Sequence, residues 1–209
     1  MYKRQPVYGG NKANVAPGDI KYKDISGPDG VPDGKIDSHD RTIIGNPTPR
    51  YEFGLTLGLQ WKGIDFSAFF QGVGKKDVYY SGAGARALCG NYTIYKYQFD
   101  YWTPENPDAK FPRLLEDPNA TNPNNMISSF WVKSGAYCRL KNIVLGYTLP
   151  SSITKAAHIS KLRVYASAQN LFTIKDNFYE GFDPENSVSS GASLYPLNKT
   201  FVFGLNVEF

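Results

Sequence analysis

Five aspartates, Asp24, Asp29, Asp33, Asp37 and Asp40, fall in the run Asp24-Ile25-Ser26-Gly27-Pro28-Asp29-Gly30-Val31-Pro32-Asp33-Gly34-Lys35-Ile36-Asp37-Ser38-His39-Asp40. Carboxylates recurring at short offsets are the donors a hard cation such as calcium takes. The second half follows the later part of an EF-hand-type loop: Gly34 permits the sharp turn, Lys35 offers a backbone carbonyl, and Asp37 and Asp40 return carboxylates. The first half departs from that pattern. Pro28 to Pro32 is inserted between Ser26 and Asp33, Asp24 and Asp29 compete for the first-ligand role, and Asp40 stands in place of the usual bidentate Glu. Five carboxylates with only Lys35 among them repel one another unless a cation neutralises them. Calcium is therefore the expected ligand, with a solvated series of Asp/Gly turns as the structural alternative.

A second group is aromatic. Tyr95, Tyr97 and Trp102 lie in the run Tyr92 to Trp102, where they are expected either to stack on sugar rings or a partner surface, or to pack the segment onto itself. Catalytic patterns are missing: His39 and His158 are the only histidines, and there is no serine elbow, zinc-type His pair or phosphate-binding Gly loop. The chain is expected not to be an enzyme. Net charge is +4 without a basic run, which argues against nucleic acid as a partner. Cys89 and Cys138 have no metal-type spacing, and whether they pair is left open.

What must position these groups is a set of strands. No segment approaches the roughly 18 apolar residues of a membrane helix; barrel strands, in which lipid-facing and lumen-facing residues alternate, do not need one. The composition, with 15 Tyr, 13 Phe and 3 Trp, suits a barrel with aromatic girdles. Tyr51 to Trp61 places Tyr51, Phe53, Leu55, Leu57, Leu59 and Trp61 on one face and Glu52, Gly54, Thr56, Gly58 and Gln60 on the other, at the length a tilted strand needs to cross the hydrocarbon layer. After a Lys62-Gly63 turn, strands are expected at 64–73, 131–148, 161–174 and 199–209. In 131–148 the alternation slips, and a bulge near Lys141-Asn142 would reconcile its halves. In 64–73, Asp65 has the parity of the watery side.

The expected fold is thus all-β: about five antiparallel strands of a transmembrane β-barrel, too few to close one. Residues 6–49 form an extracellular loop with the acidic turn, 50–209 carry the strands, and 74–130 and 175–198 are long extracellular loops, with a short helix expected near 92–102. Short and long connections alternate, which puts the short ones in the periplasm. Residues 1–5 read as a non-native scar, and Phe209, closing an alternating strand, reads as a signal for the barrel-assembly machinery. The alternative is a secreted soluble β-domain binding calcium and carbohydrate, which would bury the Tyr51–Trp61 stripe against a second sheet.

An ordered series of short segments resembles the SusC/RagA family of TonB-dependent outer-membrane transporters. It comprises Pro17-Gly18-Asp19-Ile20-Lys21-Tyr22-Lys23-Asp24, Asp40-Arg41-Thr42 with Ile44-Gly45-Asn46-Pro47, Ser67-Ala68-Phe69-Phe70-Gln71-Gly72, Leu140-Lys141-Asn142-Ile143 with Leu145-Gly146-Tyr147-Thr148-Leu149-Pro150, Leu162-Arg163-Val164-Tyr165 with Gln169-Asn170-Leu171-Phe172, and Phe203-Gly204-Leu205-Asn206-Val207-Glu208-Phe209. The series covers nearly the whole chain from Pro17 onward. The resemblance implies a C-terminal fragment of a large plugged barrel in the bacterial cell outer membrane, in contact with its lipid. It also implies energy from the TonB complex through the missing N-terminal part, a SusD-like surface lipoprotein over the outer mouth, and oligosaccharide, other glycan or peptide cargo.

Overall fold

A computed structural model of the chain describes residues 7–8, 15–82, 87–88, 94–116, 123–178, 182–185 and 197–209. The expected scar at residues 1–5, together with Cys89 and Tyr92, lies outside the described residues. The strands are β1 (Val7–Tyr8), β2 (Lys35–Ile36), β3 (Tyr51–Trp61), β4 (Ile64–Gly74), β5 (Asp77–Tyr79), β6 (Val132–Ser134), β7 (Tyr137–Thr148), β8 (Lys161–Lys175) and β9 (Thr200–Glu208). The chain divides into two compact units.

One unit is built on the antiparallel sheet β3-β4-β7-β8-β9. Its first hairpin is as tight as the sequence demands. Trp61 pairs with Ile64, leaving only Lys62 (φ 46°) and Gly63 (φ 85°) to reverse the chain, both in the left-handed region that a type I′ turn requires. Gly63 also lies under the next strand: a Cβ there would stand 2.7 Å from the Thr148 carbonyl, and its own carbonyl accepts from the Thr148 amide at 2.7 Å. Gly63→Val is therefore expected to cost about 1–3 kcal/mol from backbone strain alone, read as a lowered unfolding temperature of the whole protein.

Registry carries the side-chain pattern across all five strands. Leu57 pairs with Ala68, Ala68 with Ile143, Ile143 with Ala168, and Ala168 with Phe201, so one face is apolar throughout. On the other face Gln60, Asp65, Gly146, Tyr165 and Gly204 are in line. Within β7 the register against β4 shifts between Leu140 and Asn142, leaving Lys141 as an extra residue where the sequence alternation slips; against β8 the same Lys141 faces two residues, Asn170 and Leu171.

Element bounds differ from the sequence expectation mainly in the third strand. The expected strand from Trp131 is two elements: Ser129–Trp131 is a 3-10 turn, and Val132–Ser134 pairs instead with β5. The physical reason lies at Trp131, which is 2% exposed and donates its indole N–H to the Asn124 carbonyl at 2.8 Å; that residue is committed to the loop core, not to the long ladder. The connection after β7 holds a short helix, α1 (Ser151–Thr154), and a 3-10 turn at Lys155–Ala157.

The other unit takes in most of the long connections, residues 1–46, 78–133 and 187–194. Its described centre is Phe111, Trp131, Gln98 and Asn124, all buried. In place of the short helix expected over 92–102, it has a 3-10 turn at Lys96–Phe99.

Candidate functional site

The acidic loop folds around its own carboxylates. Asp40 Oδ1 accepts from the amides of Ile25 (2.7 Å) and Ser26 (3.2 Å), and its Oδ2 accepts from that of Asp37 at 2.9 Å. Asp37 caps the 3-10 turn Ser38–Asp40, accepting from the amide and the imidazole of His39. Asp24 Oδ2 accepts from the Gly34 amide at 2.6 Å, and Asp33 from Lys35 at 2.9 Å. Asp29 sits exposed in the turn closed by the Gly30 amide on the Gly27 carbonyl. Among the described residues, no three carboxylate, imidazole or thiol groups gather where one metal ion could touch them. The structure thus brings the five aspartates into one loop but aims four of them at backbone amides.

These amides hold two carboxyls below their ordinary range. Asp37 is lowered first by the His39 amide, and Asp40 first by the amide of Asp37 and then that of Ile25. A carboxyl that titrates lower in the folded chain contributes stability above its unfolded value of about 3.9 and loses it as pH falls through the folded value. The Ile25 and Ser26 amides are accordingly expected to keep constant hydrogen-exchange protection from neutral pH down to about 4, once intrinsic rates are divided out, and to lose it only below that.

The aromatic residues separate. Tyr95 and Tyr97 stack on one another, with centroids 5.7 Å apart and planes 9° apart, and Tyr97 leans on Phe111 at 6.2 Å. Burial pushes the Tyr97 phenol up, well above its ordinary value. Trp102 instead lines an open cleft of about 550 Å³, together with Gly18 to Lys23, Ala109 to Pro112 and Ser128 to Phe130. Its ring is seated on Gly18, where a Cβ would stand 2.3 Å away.

Sequence reasoning missed what makes that cleft rigid. The Asp19 side chain is 1% exposed. It receives two bonds from Arg113 (2.6 and 3.0 Å), one from Asn124 (2.8 Å) and one from the Ala16 amide (2.7 Å). Asn124 in turn accepts from the Ile20 amide at 2.7 Å. Partners 94 and 105 residues apart leave no local signal. Cys138 carries a free thiol.

On the sheet, the apolar face is open along β3 and β9, while Ala68, Leu140 and Ala168 between them are buried. All eleven residues of β3 are exposed, including Leu57 and Leu59 at 47% and 62%, and on β9 Phe203 is 81% exposed. β3 and β9 each pair on one side only among the described residues. A continuous apolar surface of this extent is unlike a soluble monomer, and among the described residues no second sheet covers the Tyr51–Trp61 stripe, which favours a barrel strand over the soluble-domain alternative. Among the described residues no helix is long and apolar enough to cross a membrane; β3, β4, β7, β8 and β9 have the length of membrane-crossing barrel strands. On the opposite face Arg163 reaches diagonally across Gly146 to grip Asp65 with two bonds, at 2.8 and 2.5 Å, so the acidic residue of β4 is paired on the polar side.

No protein-family profile matches the chain. It is 33% identical to the TonB-dependent receptor P3 of Formosa agariphila over 92% of this chain and 19% of that protein. To the TonB-dependent receptor SusC of Bacteroides thetaiotaomicron it is 29% identical over 84% of this chain and 17% of that protein. Among solved structures, the RagAB peptide transporter superposes with a TM-score of 0.67 at 27% identity, covering 92% of this chain and 21% of that chain. The chain therefore spans about one fifth of the length of the relatives it matches. With its order of motifs, its five-stranded antiparallel sheet and its bare apolar face, it is a segment of a β-barrel of the bacterial outer membrane, and it belongs to the SusC/RagA family of TonB-dependent transporters.

Proposed function

We propose that this segment is the C-terminal part of the wall, with its outer loops, of an importer of oligosaccharides or other large nutrients. The single observation that carries this is the bare apolar stripe of β3 continued across the sheet to β9, which needs lipid as its solvent. The polar face then lines the lumen, and the two-residue hairpin at Lys62-Gly63 lies on the periplasmic side, as short turns do. Phe209, 90% exposed beyond the end of β9, continues the apolar parity. The whole transporter draws energy from the TonB complex and works with a SusD-like lipoprotein over its outer mouth; RagAB, a peptide transporter, and the SusC receptor support that reading. The segment itself has a wall and loop role, not a catalytic one.

Trp102, on its rigid cleft, is the residue of this chain proposed to meet cargo or the lipoprotein, with Tyr95 and Tyr97 buttressing the loop through Phe111. Ring stacking on a saccharide is worth about 0.5–1.5 kcal/mol beyond area burial by analogy with aromatic pairs. The test is uptake of labelled oligosaccharide and of labelled peptide by cells carrying the full-length transporter or its Trp102→Ala variant. Outer-membrane localisation with uptake of neither would overturn the importer reading, and equal uptake by both proteins would remove Trp102.

Calcium at Asp24, Asp29, Asp33, Asp37 and Asp40 is a separate proposal. It is supported by the donor chemistry and by Asp24 Oδ1, buried without a hydrogen-bond partner. Binding would turn Asp33 and Asp37 from their amides toward the ion. Calorimetry of the whole protein with calcium showing no heat at millimolar concentration would remove it.

A further inference from the structure

The extra residue in β7 decides which side the polar side chains before it take. Lys141 stands unopposed between the Asn142–Phe69 and Leu140–Phe70 pairs, so the alternation restarts one residue out of phase. Without it, Arg139 and Tyr137 would continue the parity of Ile143 and Leu145 on the apolar face. With it, they lie opposite Gln71 and Val73 on the polar face.

Arg139 is there 2% exposed, a burial that a cation accepts only when paired. Its Nε donates to Thr173 Oγ1 at 2.7 Å, and its two terminal nitrogens lie 2.7 Å from Asp183 and 3.0 Å from Glu185. Lys141 Nζ is 2.8 Å from the same Glu185 carboxylate. Lys76 donates to the Pro184 carbonyl at 3.4 Å, and Lys175 to that of Phe182. Asp183 also accepts from the Glu185 amide at 2.9 Å, and Pro184 is buried. Four consecutive residues of the connection after β8 are thus tied to the sheet by cations that β7, β8 and the residues just after β4 supply.

We propose that Phe182–Glu185 is a strap locked onto the polar face by the cation cluster that the Lys141 bulge creates. It narrows the lumen at the long-loop end, and neutralising Asp183 and Glu185 releases it. The proposal rests on the reading of the polar face as the lumen, given above.

The test uses the full-length transporter with Asp183→Asn and Glu185→Gln together, which keep side-chain shape and remove only charge. Hydrogen exchange of the 182–185 segment is expected to speed up at least roughly tenfold, the change that losing about 1.4 kcal/mol of local stability produces. The β3–β4 hairpin should exchange as before, and intact cells should admit more of a large hydrophilic antibiotic. Lys141→Met, which keeps the bulge and removes one cation, should give a smaller rise. Unchanged exchange in the double variant overturns the strap; faster exchange with unchanged antibiotic entry overturns the narrowing. A cysteine placed at Thr56, in a background without Cys89 and Cys138, tests the underlying reading separately: failure of a water-soluble thiol reagent to label it means that the polar face is not the lumen, whatever the exchange result.

Discussion

Leu57→Arg is expected to stop the whole protein from assembling into the outer membrane, whereas Thr56→Arg, one residue earlier, is expected to assemble. Leu57 lies at the middle of the exposed apolar face of β3, opposite Ala68. An arginine at the bilayer midplane of a barrel strand costs about 2–4 kcal/mol, a large share of the marginal stability of a folded protein. Thr56 pairs with Phe69 on the other face, where the watery side of a barrel wall receives the charge. The measurement is the amount of heat-modifiable, folded barrel in outer-membrane fractions. Equal amounts for the two variants would mean that the faces are not divided between lipid and lumen.

The second large effect belongs to the loops. Asp19→Ala should melt the Trp102 cleft while leaving the barrel strands in place. The Asp19 carboxylate is buried and takes four hydrogen bonds, so its removal takes two charged bonds from the Arg113 guanidinium, which is itself mostly covered. Breaking a buried pair by removing one partner costs about 3–5 kcal/mol. That corresponds to roughly a hundred- to several-thousand-fold loss of protection at the Ile20 amide, whose acceptor Asn124 is held by the same carboxylate. Asp19→Asn keeps an acceptor but not the charge and should fall between. Unchanged protection at Ile20 in the alanine variant would mean that the cleft is supported by something else.

How much of this was legible in the chain depended on whether the information was periodic. The Tyr51–Trp61 stripe, the Lys62-Gly63 reversal and the slip near Lys141 all show in the alternation of neighbouring residues, because a strand writes its two faces into a period of two. The separate strand Val132–Ser134 did not show: its residues suit a ladder equally well with β5 or with the long sheet, and burial of Trp131 settles which. The ties of Asp19 to Arg113 and of Arg139 to Asp183 were invisible for the opposite reason. They join residues 94 and 44 apart through loops with no repeat, and a charged side chain in a loop looks the same in sequence whether buried or solvated. The acidic run shows the reverse risk. Its spacing suggested an ion, and the folded loop aims much of that carboxylate chemistry at its own amides.

The glycine at the end of β4 ties the strand's history to its neighbour's. Tyr51 pairs with Gly74, and a Cβ on that glycine would stand 1.9 Å from the tyrosine ring, which lies flat across the gap where a side chain is missing, as aromatics do over glycines in sheets. Gly204 and Tyr165 stand in the same relation on the polar face, at 2.3 Å. Each pair behaves as a single heritable unit: the glycine can gain a side chain only in a lineage where the ring opposite has already shrunk or swung away. Related sequences should therefore vary at 51 and 74, and at 165 and 204, in step rather than independently, and an engineer who wants a larger residue at either glycine must begin on the adjoining strand.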